Sequence, residues 1–131
     1  MNQTVSGRCS CGAISYVCDE EPGFSVMCQC RQCQRITGTG HSAQFALSAN
    51  KTTISGSVQT YTLTSDSGNE VLSAFCGTCG NPIYKTTSMM PDKLLFHAAT
   101  LDAPEQYQPQ MLVHRESAQP WDCVHPDVER K

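Results

Sequence analysis

The sequence predicts an all-β fold of several small antiparallel sheets. Three observations carry that expectation: short alternating or β-branched stretches recur between turn residues, almost nothing has helical periodicity, and cysteines cluster where a thin core needs a staple. In chain order the strands are expected at Ala13 to Cys18, His41 to Leu47, Val58 to Thr64, Glu70 to Phe75, Pro82 to Thr86, Lys93 to Thr100 and Met111 to Arg115. Within Val58 to Thr64, Tyr61 and Leu63 alternate with threonines, so one face packs and the other stays wet, the pattern of antiparallel pairing. One helical turn is expected, Gln32 to Ile36, with Gly38 placed to end it. Thr64 to Asn69 reads as a turn between strands, and Ala103-Pro104-Glu105 opens an irregular segment toward Pro109. Residues 1–131 read as one domain, with no internal repeat beyond two cysteine knuckles.

Leu, Ile, Val and Phe make up only 23 of 131 residues, which would suggest disorder if the net charge were high; at −3 it is not. So sparse a hydrocarbon core folds more securely with a cross-link or a metal. Disulfides fit poorly. Met1 to Gly7 has neither a basic nor an apolar signal region, so a reducing cytoplasmic setting is expected, and nine cysteines cannot pair completely within one chain. Zinc is the better explanation. No apolar run approaches a membrane span, and the acidic balance gives no attraction to phosphates, so neither a membrane nor a nucleic-acid partner is expected.

Cys9-Ser10-Cys11-Gly12 and Cys76-Gly77-Thr78-Cys79-Gly80 each bring two sulfurs close in sequence, and together they complete a tetrahedron of thiolates. Glycine after the last cysteine suits a tight knuckle. Such a site is structural, tying the first strand to the middle of the chain. Cys28-Gln29-Cys30-Arg31-Gln32-Cys33 differs, because it offers three sulfurs and no adjacent fourth cysteine. Three protein ligands are the mark of a reactive zinc, able to take a water or a substrate atom. A thiol is the natural visitor, since zinc ionises it and fixes its position. Three thiolates give that site a net negative charge, so the cations Arg31 and Arg35 are expected to offset it or to grip a substrate carboxylate.

The order Cys-x-Cys-Gly, Cys-x-Cys-x-x-Cys, Phe-Cys-x-x-Cys-Gly resembles the glutathione-dependent formaldehyde-activating enzyme family, which includes centromere protein V. The resemblance runs from Gly7 to Ala13, through Cys28 to Gly38 and Phe75 to Tyr84, and on to Thr100-Leu101-Asp102 and Pro120-Trp121. It implies an Mss-four-like sandwich of small sheets, a structural zinc at Cys9, Cys11, Cys76 and Cys79, and a catalytic zinc at Cys28, Cys30 and Cys33. It also implies carbon–sulfur lyase or adduct-forming activity on glutathione or a related thiol and an electrophile. Gln29 stands where many relatives place His, so the reaction class is carried over rather than formaldehyde itself. The alternative from a different class is a non-catalytic, zinc-stabilised protein-binding module.

Among the remaining residues, Cys18 and Cys123 fall outside the metal motifs and read as small hydrophobes. His41, His97, His114 and His125 are ordinary polar residues unless one completes the open site, for which His41 is best placed in sequence. Trp121 reads as a plug over the core.

Overall fold

The computed structural model describes residues 5–65 and 67–130; Asp66 of the expected turn and residues 1–4 of the N-terminal stretch lie outside them. The fold is all-β. In chain order it runs β1 (Val5–Arg8), β2 (Ser15–Cys18), β3 (Ser25–Cys28), α1 (Arg31–Thr37), β4 (Ser42–Ser48), β5 (Thr52–Ser55), β6 (Val58–Thr64), β7 (Glu70–Cys76), β8 (Pro82–Thr87), β9 (Met90–His97), β10 (Met111–Val113) and β11 (Glu129–Arg130). Short 3-10 turns fill Ala49–Lys51, Ala98–Thr100, Pro104–Gln106 and Arg115–Ser117. No helix among the described residues is long and apolar enough to cross a membrane.

The strands form a three-stranded sheet, β1-β2-β5, and an eight-stranded sheet, β11-β10-β3-β4-β9-β8-β7-β6. The larger sheet is not wholly antiparallel, because β10 pairs in parallel with both β3 and β11. Its two faces have different jobs. Register places Phe45 opposite Phe96, Phe96 opposite Tyr84 and Leu47 opposite Leu94, so these side chains share one face. The small sheet packs there, with Tyr16 stacked on Phe96 at 4.0 Å between ring centroids and Val5, Cys18 and Ile54 joining the same core. The alternate residues Cys28, Ser42, Gln44, His97, Lys85 and Ser73 point to the other face. Most of them are polar, and α1 crosses near them.

β1, β3, β5 and the two-residue β11 were not expected from the sequence. Gly7 interrupts alternation in the first, and the second ends on a metal-motif cysteine. The strand expected at Lys93 to Thr100 instead stops at His97, where the Thr100 hydroxyl donates to the His97 carbonyl at 2.7 Å and the chain turns. The strand expected at Met111 to Arg115 stops at Val113, because His114 adopts a left-handed conformation at φ 58°. Trp121 is 63% exposed and is not a plug.

Candidate functional site

The first cysteine cluster is built by two knuckles. One follows β1, and the other joins β7 to β8. Gly12 and Gly80 hold φ of 82° and 77°, a region that side chains disfavour, which lets each knuckle fold back on itself. The sulfurs of Cys9, Cys11, Cys76 and Cys79 lie within 4.8 Å of one another, with Cys9 to Cys11 and Cys11 to Cys76 both at 3.7 Å. Four sulfurs around a zinc at its ordinary ~2.3 Å bond length stand roughly 3.8 Å apart, so this group has the size of a tetrahedral site. Backbone amides already face the sulfurs: Ile14 donates to Cys9, and Thr78 and Cys79 donate to Cys76.

Proton sharing within the cluster points the same way. Burial opposes ionisation of Cys9, but the Ile14 amide and the neighbouring thiols outweigh it and bring the thiol down to about 6. The Ala13 amide works to lower Cys11, yet burial and the same neighbours push it up to about 11. Sulfurs so close cannot all carry charge unaided; a divalent cation removes that conflict.

The second cluster sits on the polar face of the large sheet. Cys28 ends β3, Cys30 caps α1 by accepting from the Cys33 amide at 3.3 Å, and Cys33 lies on the buried side of the helix. Arginine and glutamine favour the helical turn, and Gly38 closes it in a left-handed cap whose N–H donates to the Gln34 carbonyl. The three sulfurs lie within 4.8 Å of one another, and no His, Asp, Glu or further Cys among the described residues joins the group. Hydrogen bonds from Cys28 and Cys30 favour the charged form of Cys33 despite burial, with Lys85 helping, while the neighbouring sulfurs and burial push Cys28 up. This donor set also suits a soft cation.

Lys85 was not found by sequence reading, which offered Arg31 and Arg35 as the cations. Its Nζ lies 3.7 Å from Cys33 Sγ, beside Gln44 Nε2 at 3.5 Å. The packing of α1 near the polar face brings Cys33 to Lys85 across 52 residues, so no local motif announces it. Arg31 turns its guanidinium to Gln34 Oε1, and Arg35 lines a neighbouring cavity. Gln34 is a buried hub: its Nε2 donates to the Gln29 and Ser117 carbonyls, and its Oε1 accepts from Gln119.

His41 pairs instead with a partner that no local motif announces. Its Nδ1 lies 2.9 Å from Asp122, whose side chain is 6% exposed and also accepts from Gln29 Nε2 at 3.0 Å. Gly40 is required beneath this pair, since a Cβ there would stand 2.3 Å from Asp122 Cγ. His97 is buried with Nε2 unpaired, and burial lowers it to about 4, so it is neutral at pH 7. His114 and His125 are exposed beside Glu116 and Asp127. Cys18 is buried in the core as expected, whereas Cys123 is exposed.

Two cavities are lined by residues that neighbour the triplet in sequence, Gln32 in one and Gln29 in the other. One, of about 410 Å³, lies toward β6, β7 and β8 and is walled by Arg35, Ile36, Tyr61, Leu63, Ser73 and Phe75, among others. The other, of about 460 Å³, lies toward β10 and is bordered by Gln29, Leu112, Arg115, Asp122 and Cys123.

The model of the glutathione-dependent formaldehyde-activating enzyme family matches residues 4–117. The chain belongs to that family. All three cysteine motifs and α1 fall inside the matched span. A Rhodobacter sphaeroides protein of solved structure superposes with a TM-score of 0.62 at 18% identity, covering 96% of this chain and 99% of its own. That likeness shows a shared fold. No curated protein matches the sequence significantly.

Proposed function

We propose that the protein is a zinc-dependent carbon–sulfur lyase or adduct-forming enzyme that joins glutathione or a related small thiol to a carbonyl electrophile. Family membership supports a glutathione-related reaction. The observation that carries the rest is the triplet Cys28, Cys30 and Cys33: three converging sulfurs without a fourth protein ligand among the described residues. A zinc held by three thiolates supplies one thing here, a place where a visiting thiol is ionised and held. Cys9, Cys11, Cys76 and Cys79 hold the structural zinc in this reading.

The remaining roles belong to the chain. Lys85 offsets the accumulated thiolate charge from beside Cys33. Gln44 donates to the same sulfur and fixes its direction. Asp122, bonded to His41 and Gln29, anchors the C-terminal segment against the Cys28–Cys30 knuckle and keeps its backbone in place. The polar cavity beside Gln29, with Arg115 at its edge, takes the peptide part of the thiol. Arg31 and Arg35 remain the cations proposed for a substrate carboxylate, Arg35 the better placed because it lines a cavity. None of the nine cysteines is paired in a disulfide, which supports work in the reducing cytoplasm.

The test is a cobalt-substituted protein titrated with glutathione. A change in the sulfur-to-cobalt absorption that Cys30→Ser abolishes, together with turnover of thiol–aldehyde adducts lost in the same variant, is the expected result. An unchanged spectrum and no turnover in the metal-replete protein would sink the proposal.

A further inference from the structure

The 410 Å³ cavity is far larger than a one-carbon aldehyde requires. Such a molecule is of about water's size, and at roughly 30 Å³ it would fill less than a tenth of the space. The walls are chemically mixed in an ordered way. Tyr61, Leu63 and Phe75 line one side from β6 and β7, and Ile36 faces them from α1. Arg35, with no ion-pair partner among the described residues, is the cation at this wall.

The cavity is linked to the cysteine triplet through one neighbouring side chain, Lys85. Ser73 in its wall is the direct cross-strand partner of Lys85, on the same face of the sheet, and Lys85 Nζ reaches Cys33 Sγ at 3.7 Å. A molecule seated on Ser73 therefore has one neighbouring side chain between itself and the sulfurs. The other cavity lies at the β10 end of the sheet, so the two spaces are separate.

We infer that this cavity is the electrophile site and that its occupant is an aldehyde with a flat apolar body ending in a carboxylate. The body lies between Ile36 and the Tyr61, Leu63 and Phe75 wall, the carboxylate meets Arg35, and the aldehyde points past Ser73 toward the triplet. This inference rests on the proposed reaction site. The step is an addition: the thiol sulfur forms a bond to the carbonyl carbon, the C=O π pair moves to oxygen, and oxygen takes up the proton the thiol has lost. The product is a hemithioacetal, with no oxidant or reductant required, and the lyase direction is its reverse.

The experiment uses the zinc-loaded full chain with glutathione and three aldehydes: 4-carboxybenzaldehyde, benzaldehyde and formaldehyde. Alongside it, binding of the unreactive analogue 4-(hydroxymethyl)benzoate is followed by saturation-transfer NMR. The expected result is that kcat/KM for 4-carboxybenzaldehyde exceeds that for formaldehyde by about tenfold or more, a difference set by apolar burial and one charged hydrogen bond. Arg35→Gln should shrink the preference for 4-carboxybenzaldehyde over benzaldehyde by roughly tenfold. Leu63→Trp, which fills the cavity from an edge strand, should weaken analogue binding by a similar factor. Metal content and melting curves establish that both variants fold. If formaldehyde is consumed as fast as 4-carboxybenzaldehyde and the analogue does not bind, the electrophile assignment is overturned while the reaction site stands. If no aldehyde is consumed, both are overturned, whether or not the analogue binds.

Discussion

Replacing Cys76 with serine should unfold the protein, whereas replacing Cys30 with serine should leave it folded and short of one metal ion. Cys76 is 1% exposed, belongs to the main core cluster, and stands 3.7 Å from Cys11 across 65 residues of sequence. A structural zinc contributes on the order of 10 kcal/mol to folding, against a net stability of about 5–15 kcal/mol for a domain. Losing one of four ligands removes most of that contribution. It also leaves the Thr78 and Cys79 amides, which face the sulfur, without the thiolate that justified their direction. Cys30 is only half-buried and caps a seven-residue helix, where a serine hydroxyl does the same work at a cost of about 1 kcal/mol or less. The assay is metal stoichiometry combined with near-ultraviolet circular dichroism and a urea melt of each variant. The reasoning fails if Cys76→Ser keeps a cooperative melt with an unchanged midpoint, or if Cys30→Ser loses its tertiary signal.

Asp122→Asn should cost about 1–3 kcal/mol in a urea melt, since it removes the charge from a carboxylate bonded to His41 and Gln29; a double-mutant cycle with His41→Ala should give a coupling of at least ~0.5 kcal/mol, and strict additivity would refute the pairing. Tyr16 is buried, and burial holds its phenol up to about 12 despite the hydroxyl of Thr100 beside it. An unfolded tyrosine releases its proton near ~10, so from there to about 12 the unfolded chain binds fewer protons and stability falls as pH rises. The slope is ~1.4 kcal/mol per pH unit, and Tyr16→Phe should flatten that limb of the stability curve. Lys85→Met removes the ammonium beside Cys33 and should raise the glutathione KM about tenfold, the weight of one charge-assisted contact; an unchanged KM would remove Lys85 from the site.

Local sequence reading succeeded where the cause of structure is itself local. The strand at Val58–Thr64 was expected at its full length because the alternation of Tyr61 and Leu63 with threonines, and the turn residues that follow, belong to that segment alone. The turn ended by Gly38 was legible because capping acts within one helical turn. The triplet and each cysteine pair followed from short spacings, since neighbours two or three residues apart cannot place their sulfurs far from each other, whereas the meeting of Cys9 and Cys11 with Cys76 and Cys79 spans 65 residues and is made by the fold. Trp121 went wrong for the opposite reason: whether a large side chain near the chain end finds a core depends on where that segment lies, and here it lies in the open.

The sequence by itself determined the all-β class, the two cysteine groups and the three-sulfur character of the second. Tertiary structure alone decided that the polar face of the large sheet carries that second group, that Lys85, Gln44 and Asp122 surround it, and that Arg31 turns away while Arg35 lines a cavity. The physical reason is the pairing of distant strands. Cross-strand register sets Ser73 beside Lys85 on the polar face, α1 packed near that face brings Cys33 to Lys85, and the register is fixed by the buried alternation on the opposite face, where Phe45, Phe96 and Tyr16 pack.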